Sequence, residues 1–192
     1  VNYEIYHQEC GVDEAGRGYL AGPVCIAAVM LPKDLETPEG ITIRDSKKMS
    51  EKKREASAEW IKNNATSWAT EFIEVEDIDR LNILNATLWG MRKVVSKLDP
   101  KPDFIAIDGP HYQSNTPDIP HGCYSSGDDL YRNIAAASIL AKTTRDKYMI
   151  ELHDSFPVYN WKKNKAYGTL EHREAIKQHG LTIHHRKSFK CV

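Results

Sequence analysis

The sequence predicts an α/β domain, with strands buried in one layer and helices packed over it. Three observations point there. Ile5 to Val12 and Gly22 to Leu31 are apolar runs rich in Val, Ile and Ala, separated by a glycine-bearing turn. Phe104-Ile105-Ala106-Ile107 is a short continuous apolar run ending on Asp108-Gly109-Pro110, the pattern of a central strand covered on both faces. Ile134 to His153 is the longest helical pattern, and its alanines at 135, 136, 137 and 141 let it lie close on a sheet. A chain of 192 residues accommodates one domain with a substantial core and would cramp a second, so residues 1–192 are read as a single domain.

Taken in order, the first two apolar runs read as a β-hairpin. Ser50 caps a helix through Asn63, with Glu51 and Lys52 in its first turn and Trp60 and Ile61 toward its end. Ser67 to Val75 reads as a third strand. Ile83 to Leu98 repeats apolar residues at Leu84, Leu88, Met91, Val94, Val95 and Leu98, a helical period that Pro100 and Pro102 stop. After the Phe104 to Ile107 strand, Pro110 to Gly122 is a loop by its Pro, Ser, Asn and Asp content, and a short strand follows around Cys123. Beyond the alanine-rich helix, Thr169 to Gln178 makes a short helix ended by Gly180, and the remainder reads as irregular.

Composition bounds the function classes. The hydrophobic fraction of 41% and charged fraction of 28% are those of an ordinary globular protein, and no apolar run reaches bilayer-crossing length. Val1-Asn2-Tyr3-Glu4 has neither a basic segment nor a small-residue cleavage site, so a cytoplasmic location is expected. Cys10, Cys25, Cys123 and Cys191 form no CxxC pair, which disfavours a zinc site and fits reduced thiols. Net charge is −1, yet Lys142 to Val192 holds 11 Lys and Arg against 5 Asp and Glu. That basic quarter suits a phosphate-binding flank, and equally an ordinary solvated tail.

Acidic residues gain meaning where an apolar element ends beside glycine. Three places qualify: Asp13-Glu14 before Gly16-Arg17-Gly18, Asp108 before Gly109, and Asp128 in Gly127-Asp128-Asp129. On a strand, Asp13 and Glu14 leave on opposite faces, so they share a site only where the strand ends or bends. Gly16 and Gly18 supply a bend and expose backbone N–H groups to an approaching polyanion. Carboxylates converging at element ends repel unless a cation neutralises them, and oxygen-only ligation favours Mg2+ or Mn2+. Two such ions suit in-line phosphoryl displacement. Taken singly, each residue also has a plain structural reading: an Asx turn at Asp13, a turn cap at Asp108, an N-cap for the next helix at Asp128 or Asp129.

Jointly, Asp13-Glu14-Ala15-Gly16-Arg17-Gly18, Asp45-Ser46-Lys47-Lys48, Ile107-Asp108-Gly109 and Gly127-Asp128 before Ala135-Ala136-Ala137-Ser138-Ile139-Leu140-Ala141-Lys142 resemble the ribonuclease HII family, the type 2 ribonucleases H. Asn164-Lys165-Ala166-Tyr167-Gly168-Thr169, Glu171-His172 and His185-Arg186-Lys187-Ser188-Phe189 resemble its C-terminal motifs, and the likeness runs in order from about Glu9 to Phe189. The resemblance implies an RNase H-like fold, a central mixed sheet flanked by helices with a helical C-terminal extension. It makes roughly 155–192 a substrate-binding segment. The implied activity is cleavage of the RNA strand of RNA/DNA hybrids and of DNA duplexes containing ribonucleotides, with a role in ribonucleotide removal during replication and repair. The enzyme is expected to act as a monomer away from membranes.

Carried over by position, the resemblance makes Asp13, Glu14, Asp108 and Asp128 the catalytic ligands of a two-ion Mg2+ or Mn2+ site. Gly16, Arg17 and Gly18 meet the 2′-hydroxyl and phosphate at the RNA-to-DNA junction, and Tyr167 stacks on the deoxyribose that follows. Lys47, Lys142 and Arg145 match positions near the phosphates, with a solvated-face reading also open for Arg145, and His172 and His185 are expected to hold the C-terminal segment. Three positions depart from the pattern. Ser126 replaces a common lysine, Tyr19 stands where proline is frequent, and Ala166 replaces a glycine, so its backbone must avoid positive φ or accept strain. Two other readings stand beside this one: a 3′-to-5′ exonuclease that also gathers four carboxylates, and a hybrid-binding module without catalysis.

Overall fold

The structure, a computed structural model, describes residues 8–192. Residues 5–7 of the first expected strand, and the Val1 to Glu4 segment, lie outside the described residues. Five strands form one sheet: β1 (Glu9–Ala15), β2 (Val24–Met30), β3 (Ser67–Ile73), β4 (Phe104–Asp108) and β5 (His121–Tyr124), in spatial order β3-β2-β1-β4-β5. β2 pairs antiparallel with both β1 and β3, whereas β4 pairs parallel with both β1 and β5. The sheet is therefore mixed, and β1, β4 and β5 end side by side at one edge.

Alternation along the strands sorts the core into two layers. Val12, Ile26, Ala28, Ile105 and Ile107 face α3 (Ile83–Ser96) through Leu88, Met91 and Val94. Ala27 and Val29 face the other way, toward Ile61 of α1 (Glu51–Asn64) and Ala136, Ala137 and Leu140 of α5 (Arg132–His153). Each fully buried Ile, Leu or Val contributes roughly 1.5–3 kcal/mol. The small residues of α5 allow close approach: a Cβ on Gly11 would sit 2.1 Å from the Asn133 carbonyl carbon. Asn133 ties the layers at that crossing, donating to the Glu9 carbonyl at 3.0 Å and accepting from the Leu31 N–H at 2.9 Å.

Several elements differ from expectation. β1 continues through Asp13 and Glu14 to Ala15, because these residues still pair with Ala27, Ile26 and Cys25 of β2. A short helix, α2 (Val75–Leu81), begins where the third strand was expected to end. Val75 and Ile78 are its buried face, and Glu76 and Asp77 sit favourably in its first turn. Asp128 and Asp129 do not cap α5; they lie in a one-turn helix of their own, α4 (Gly127–Leu130). The stretch expected to be irregular holds a 3-10 turn at Pro157–Tyr159 and a second one-turn helix, α6 (Trp161–Asn164), before α7 (Leu170–His179).

The C-terminal segment is anchored to the long β1–β2 loop. Trp161, Tyr159, Ala166 and Ile176 pack with Leu20, Ala21 and Met149. Backbone hydrogen bonds join Leu20 N–H to Ala166, Gly22 N–H to His184 and Arg186 N–H to Leu20.

Candidate active site

The carboxyl ends of β1, β4 and β5 bring the sequence-selected acids to one place. Val12 of β1 is in register with Ile107 of β4, so the next residues, Asp13 and Asp108, lie side by side on the α5 face. Glu14 leaves β1 on the opposite face, where it lines a small cleft with Arg17, Leu88, Met91 and Asp108. The acids thus reach the sheet edge from both faces without the strand bending between them. Asp128 arrives from α4, just after β5, and is only 8% exposed.

Backbone donors fix two of these side chains. Asp13 Oδ1 accepts the Glu14 N–H at 2.8 Å, and Asp108 Oδ1 accepts the Gly127 N–H at 2.7 Å. The second bond ties the end of β4 to the start of α4, and so to Asp128. Burial raises the Asp13 pKa well above the usual carboxylate range, and Glu14, Asp108 and Asp128 add to that through their charge, against the Glu14 N–H bond. Burial pushes Glu14 up to about 7, with Arg17 opposing and Asp108 reinforcing. Asp128 rises to about 6 from burial, Asp108 and Asp45, with Lys47 opposing. The acids therefore sense one another across the site, although no three of the four bring their oxygens within 4.8 Å.

Asp45, Asp128 and Asp129 do approach that closely, the one such trio among the described residues. Asp45 is buried, and its Oδ1 accepts the Lys47 N–H at 3.0 Å. Its turn is anchored to α5 through Ser46 N–H and Ser138 Oγ, and to α1 through Arg54, which donates to the Ser46 and Met49 carbonyls. Asp129 is paired instead with Lys48 at 2.7 Å. Burial alone would lower the Lys47 pKa; the charges of Asp45, Asp128, Asp13 and Asp108 outweigh it and raise it. Lys47 therefore lies within electrostatic reach of the acids. Lys142 does not share that position: its Nζ is engaged by Asp146, four residues on, at 2.9 Å.

The Gly16 to Pro23 loop is held by two buried arginines. Arg145 donates to the carbonyls of Ala21, Pro23 and Lys165 at 2.8–2.9 Å. Arg186 donates to Gly16, Arg17, Gly22 and Pro23 at 2.7–3.2 Å. Both arginines are about 1% exposed or less, and burial lowers their pKa values to about 10 and about 9. Arg145 is thus part of the scaffold and spends its donors on carbonyls, because α5 directs it under the loop. Arg186 was not selected from the sequence beyond its motif. A lone arginine in a basic tail carries no signal of burial, and the carbonyls it binds are 163 to 170 residues away.

The two loop glycines differ. Gly16 has φ +92°, and a Cβ there would lie 2.0 Å from Arg145 Nε; around Gly18 a Cβ would meet nothing within 4 Å. Packing explains Gly16, whereas Gly18 is exposed with free space above it.

Tyr167 stands across from this loop, 55% exposed. Before it, Ala166 takes φ +77°, the strained alternative foreseen for a non-glycine there. Asn164 Oδ1 accepts the Ala166 N–H at 2.8 Å and the Ala166 carbonyl accepts from Leu20, which holds the strained residue in place. Ser126 is likewise left-handed, with φ 56°.

Behind Tyr167, hydrogen-bond chemistry assigns every proton on a buried histidine pair. The Thr182 N–H can only donate, so His185 Nδ1 accepts it, at 2.9 Å. His185 then carries its proton on Nε2 and donates to His172 Nε2 at 3.0 Å, which also accepts the Trp161 indole N–H at 3.2 Å. His172 is left with a proton on Nδ1, donated to the Tyr167 carbonyl at 3.0 Å. Burial lowers both pKa values, His185 to about 4.

The chemistry of the site suits a hard cation. Its donors are carboxylate oxygens, burial and neighbouring charge raise the pKa values of Asp13, Glu14 and Asp128, and Glu14 Oε2 is buried with no hydrogen-bond partner. Mg2+ and Mn2+ fit that set.

Comparisons with known proteins agree with this architecture. Residues 10–192 match the family model described as Ribonuclease HII. A ribonuclease HII of Bacteroides fragilis is 50% identical over 184 residues, covering 96% of this chain and 90% of that protein; one from Bacteroides thetaiotaomicron is 48% identical over the same shares. Among solved structures, ribonuclease H2 of Pyrococcus horikoshii superposes with a TM-score of 0.80 at 22% identity, over 96% of this chain and 94% of that one. Bst-RNase HIII in complex with Mn2+ superposes with a TM-score of 0.63 at 18% identity, over 90% and 63%. At those identities the structures speak for the fold, which is the RNase H-like one expected.

Proposed function

This chain belongs to the ribonuclease HII family and is a ribonuclease H; from that premise we propose that it cuts on the 5′ side of ribonucleotides embedded in duplex DNA, and also the RNA strand of RNA/DNA hybrids. The reading covers residues 1–192 as one catalytic domain acting as a monomer in the cytoplasm, in ribonucleotide removal during replication and repair. Among the described residues no helix is long and apolar enough to cross a membrane. The four cysteines are free, in keeping with a reducing compartment.

Asp13, Glu14, Asp108 and Asp128 are the residues we assign to a two-ion Mg2+ or Mn2+ site. When bound, such ions neutralise the charge that develops on the scissile phosphate. The protein's own part is recognition and alignment. With the carbonyls of Gly16 and Arg17 taken by Arg186, the loop is fixed with its exposed glycine toward the substrate, where the 2′-hydroxyl distinguishes RNA from DNA. Arg17, beside Glu14, meets the adjoining phosphate, and Lys47 a second one. Tyr167 stacks on the sugar after the ribonucleotide. Holding the 2′-hydroxyl aligns the phosphate on its 5′ side for in-line attack by water. The P–O3′ bond breaks, leaving a 3′-hydroxyl on the preceding nucleotide and a 5′-phosphate on the ribonucleotide.

Lys142 is the weakest member of the proposed substrate set, since its ammonium is engaged by Asp146. The observation that carries the reading is the convergence of Asp13, Glu14, Asp108 and Asp128 at the carboxyl ends of three parallel strands, beside a loop whose carbonyls are turned inward. Mg2+-dependent cleavage of a duplex carrying one ribonucleotide tests it, comparing wild type with Asp108→Asn. Loss of at least about 100-fold is expected on removing one ligand; equal rates would refute the assignment.

A further inference from the structure

Tyr19 lies between a fixed cation and an exposed ring. One face of its ring covers the Arg145 guanidinium, with Cζ 4.3 Å from the ring centroid. Arg145 cannot follow a moving partner, because its donors are spent on the Pro23, Ala21 and Lys165 carbonyls. The Tyr19 ring therefore rests on an immobile support, and a desolvated cation beneath an aromatic face favours that placement. Against it stands Tyr167, ring centroids 5.2 Å apart and planes at 70°, the edge-to-face arrangement aromatic pairs prefer.

Tyr167 needs such support. Its backbone is locked, the N–H donating to Asn164 at 2.9 Å and the carbonyl accepting from His172, yet its side chain is 55% exposed. Its remaining freedom is side-chain rotation, and among the described residues Tyr19 is the ring it meets. Tyr19 also hangs from the glycine loop, its N–H directed at the Gly16 carbonyl at 3.4 Å, while Leu20 binds Ala166. One short run of chain connects the proposed 2′-hydroxyl reader with the proposed stacking ring.

We propose that Tyr19 is a positioning residue that fixes the Tyr167 ring and thereby sets the preference for an RNA-to-DNA junction over a continuous hybrid. The inference rests on the reading of Tyr167 as the ring that packs on the sugar after the ribonucleotide. A fixed ring in contact with C2′ of a deoxyribose leaves no room for a 2′-hydroxyl there, whereas a ring free to swing aside admits a ribose.

The test compares kcat/KM for a DNA duplex with one ribonucleotide and for a continuous RNA/DNA hybrid, in Mg2+, for wild type, Tyr19→Phe, Tyr19→Ala, Tyr167→Ala and the double alanine variant. Tyr19→Phe keeps the wild-type ratio. Tyr19→Ala lowers the junction-to-hybrid ratio by about 3- to 10-fold, the range of an edge-to-face aromatic contact, and adds nothing in the Tyr167→Ala background. Should Tyr19→Ala unfold, Tyr19→Leu, which still covers Arg145 but lacks an aromatic edge, gives the same comparison. Equal losses on both substrates, or an effect that multiplies with that of Tyr167→Ala, would overturn the inference while leaving the proposed function intact. A wild-type protein that cleaves neither substrate would overturn both.

Discussion

A methyl group on Gly16 would come within 2.0 Å of Arg145 Nε, so the residue proposed to help read the 2′-hydroxyl is also one that the scaffold cannot enlarge without a clash. Gly16 adds a left-handed φ of +92° to that contact, while Gly18 has neither constraint. The two glycines separate folding from recognition. Gly16→Ala should destabilise by about 2–4 kcal/mol, through overpacking and backbone strain together. Gly18→Ala should change unfolding free energy by less than about 0.5 kcal/mol and still depress cleavage of a duplex with one ribonucleotide. Urea unfolding beside cleavage kinetics checks both. Wild-type cleavage by Gly18→Ala would remove that glycine from the substrate contact.

Arg186 is the second support of the loop. Its four hydrogen bonds go to carbonyls of Gly16, Arg17, Gly22 and Pro23, and a lysine ammonium cannot span that fork. Arg186→Lys should cost about 3 kcal/mol or more, since several buried carbonyls lose their donor. Denaturant unfolding gives the value. A cost under about 1 kcal/mol would mean that the loop keeps its shape by other means.

The histidine pair gives a pH dependence with a definite sign. His185 has its folded pKa lowered from 6.5 to about 4 by burial, with the charges of His172 and His184 adding to it. The unfolded chain therefore takes up a proton before the folded one does. The neutral pair's contribution is whole above about pH 6.5 and is lost as pH falls toward 4. Wild type should lose roughly 3 kcal/mol more over that window than His185→Asn, which has no proton to gain there. Parallel unfolding curves at pH 7 and pH 4 measure the difference. Identical pH slopes would contradict the neutral tautomer assignment.

Gly11 tests the layer that carries the site. A Cβ there would fall 2.1 Å from the α5 backbone at Asn133, which cannot move aside without disturbing α4 and Asp128 just before it. Gly11→Ala should destabilise by about 3 kcal/mol or more and lower the cleavage rate together. An unfolding midpoint at the wild-type value would show that α5 has room at this crossing.

Much of this site was legible in the amino-acid sequence, for a physical reason. Asp108 closes the apolar run of β4 and Asp13 directly follows that of β1, and a carboxylate placed right after a buried apolar run shows in a linear pattern. Asp128 and the Gly16-Arg17-Gly18 bend show in the same way, beside glycine, and the motif resemblance then gives them their roles. What stayed hidden depends on distance and direction. Arg186 reaches carbonyls far away in the chain, and its burial leaves no mark in a basic tail. Lys142 looked available to a phosphate, yet on a helix its neighbour four residues on is Asp146. The approach of Asp45 to Asp128 joins segments more than 80 residues apart. α2 was hidden by Val75, which extends the preceding strand's apolar pattern as readily as it starts a helix.

The central claim is that four carboxylates and the glycine loop together cut beside a ribonucleotide. Product mapping measures this most directly, on a DNA duplex with one ribonucleotide, labelled at either end, incubated with the protein and Mg2+. One cut on the 5′ side of the ribonucleotide, leaving a 3′-hydroxyl and a 5′-phosphate and abolished by chelator, is the predicted result. A ladder of shortened products from an all-DNA control, or no cleavage at any metal concentration, would contradict it.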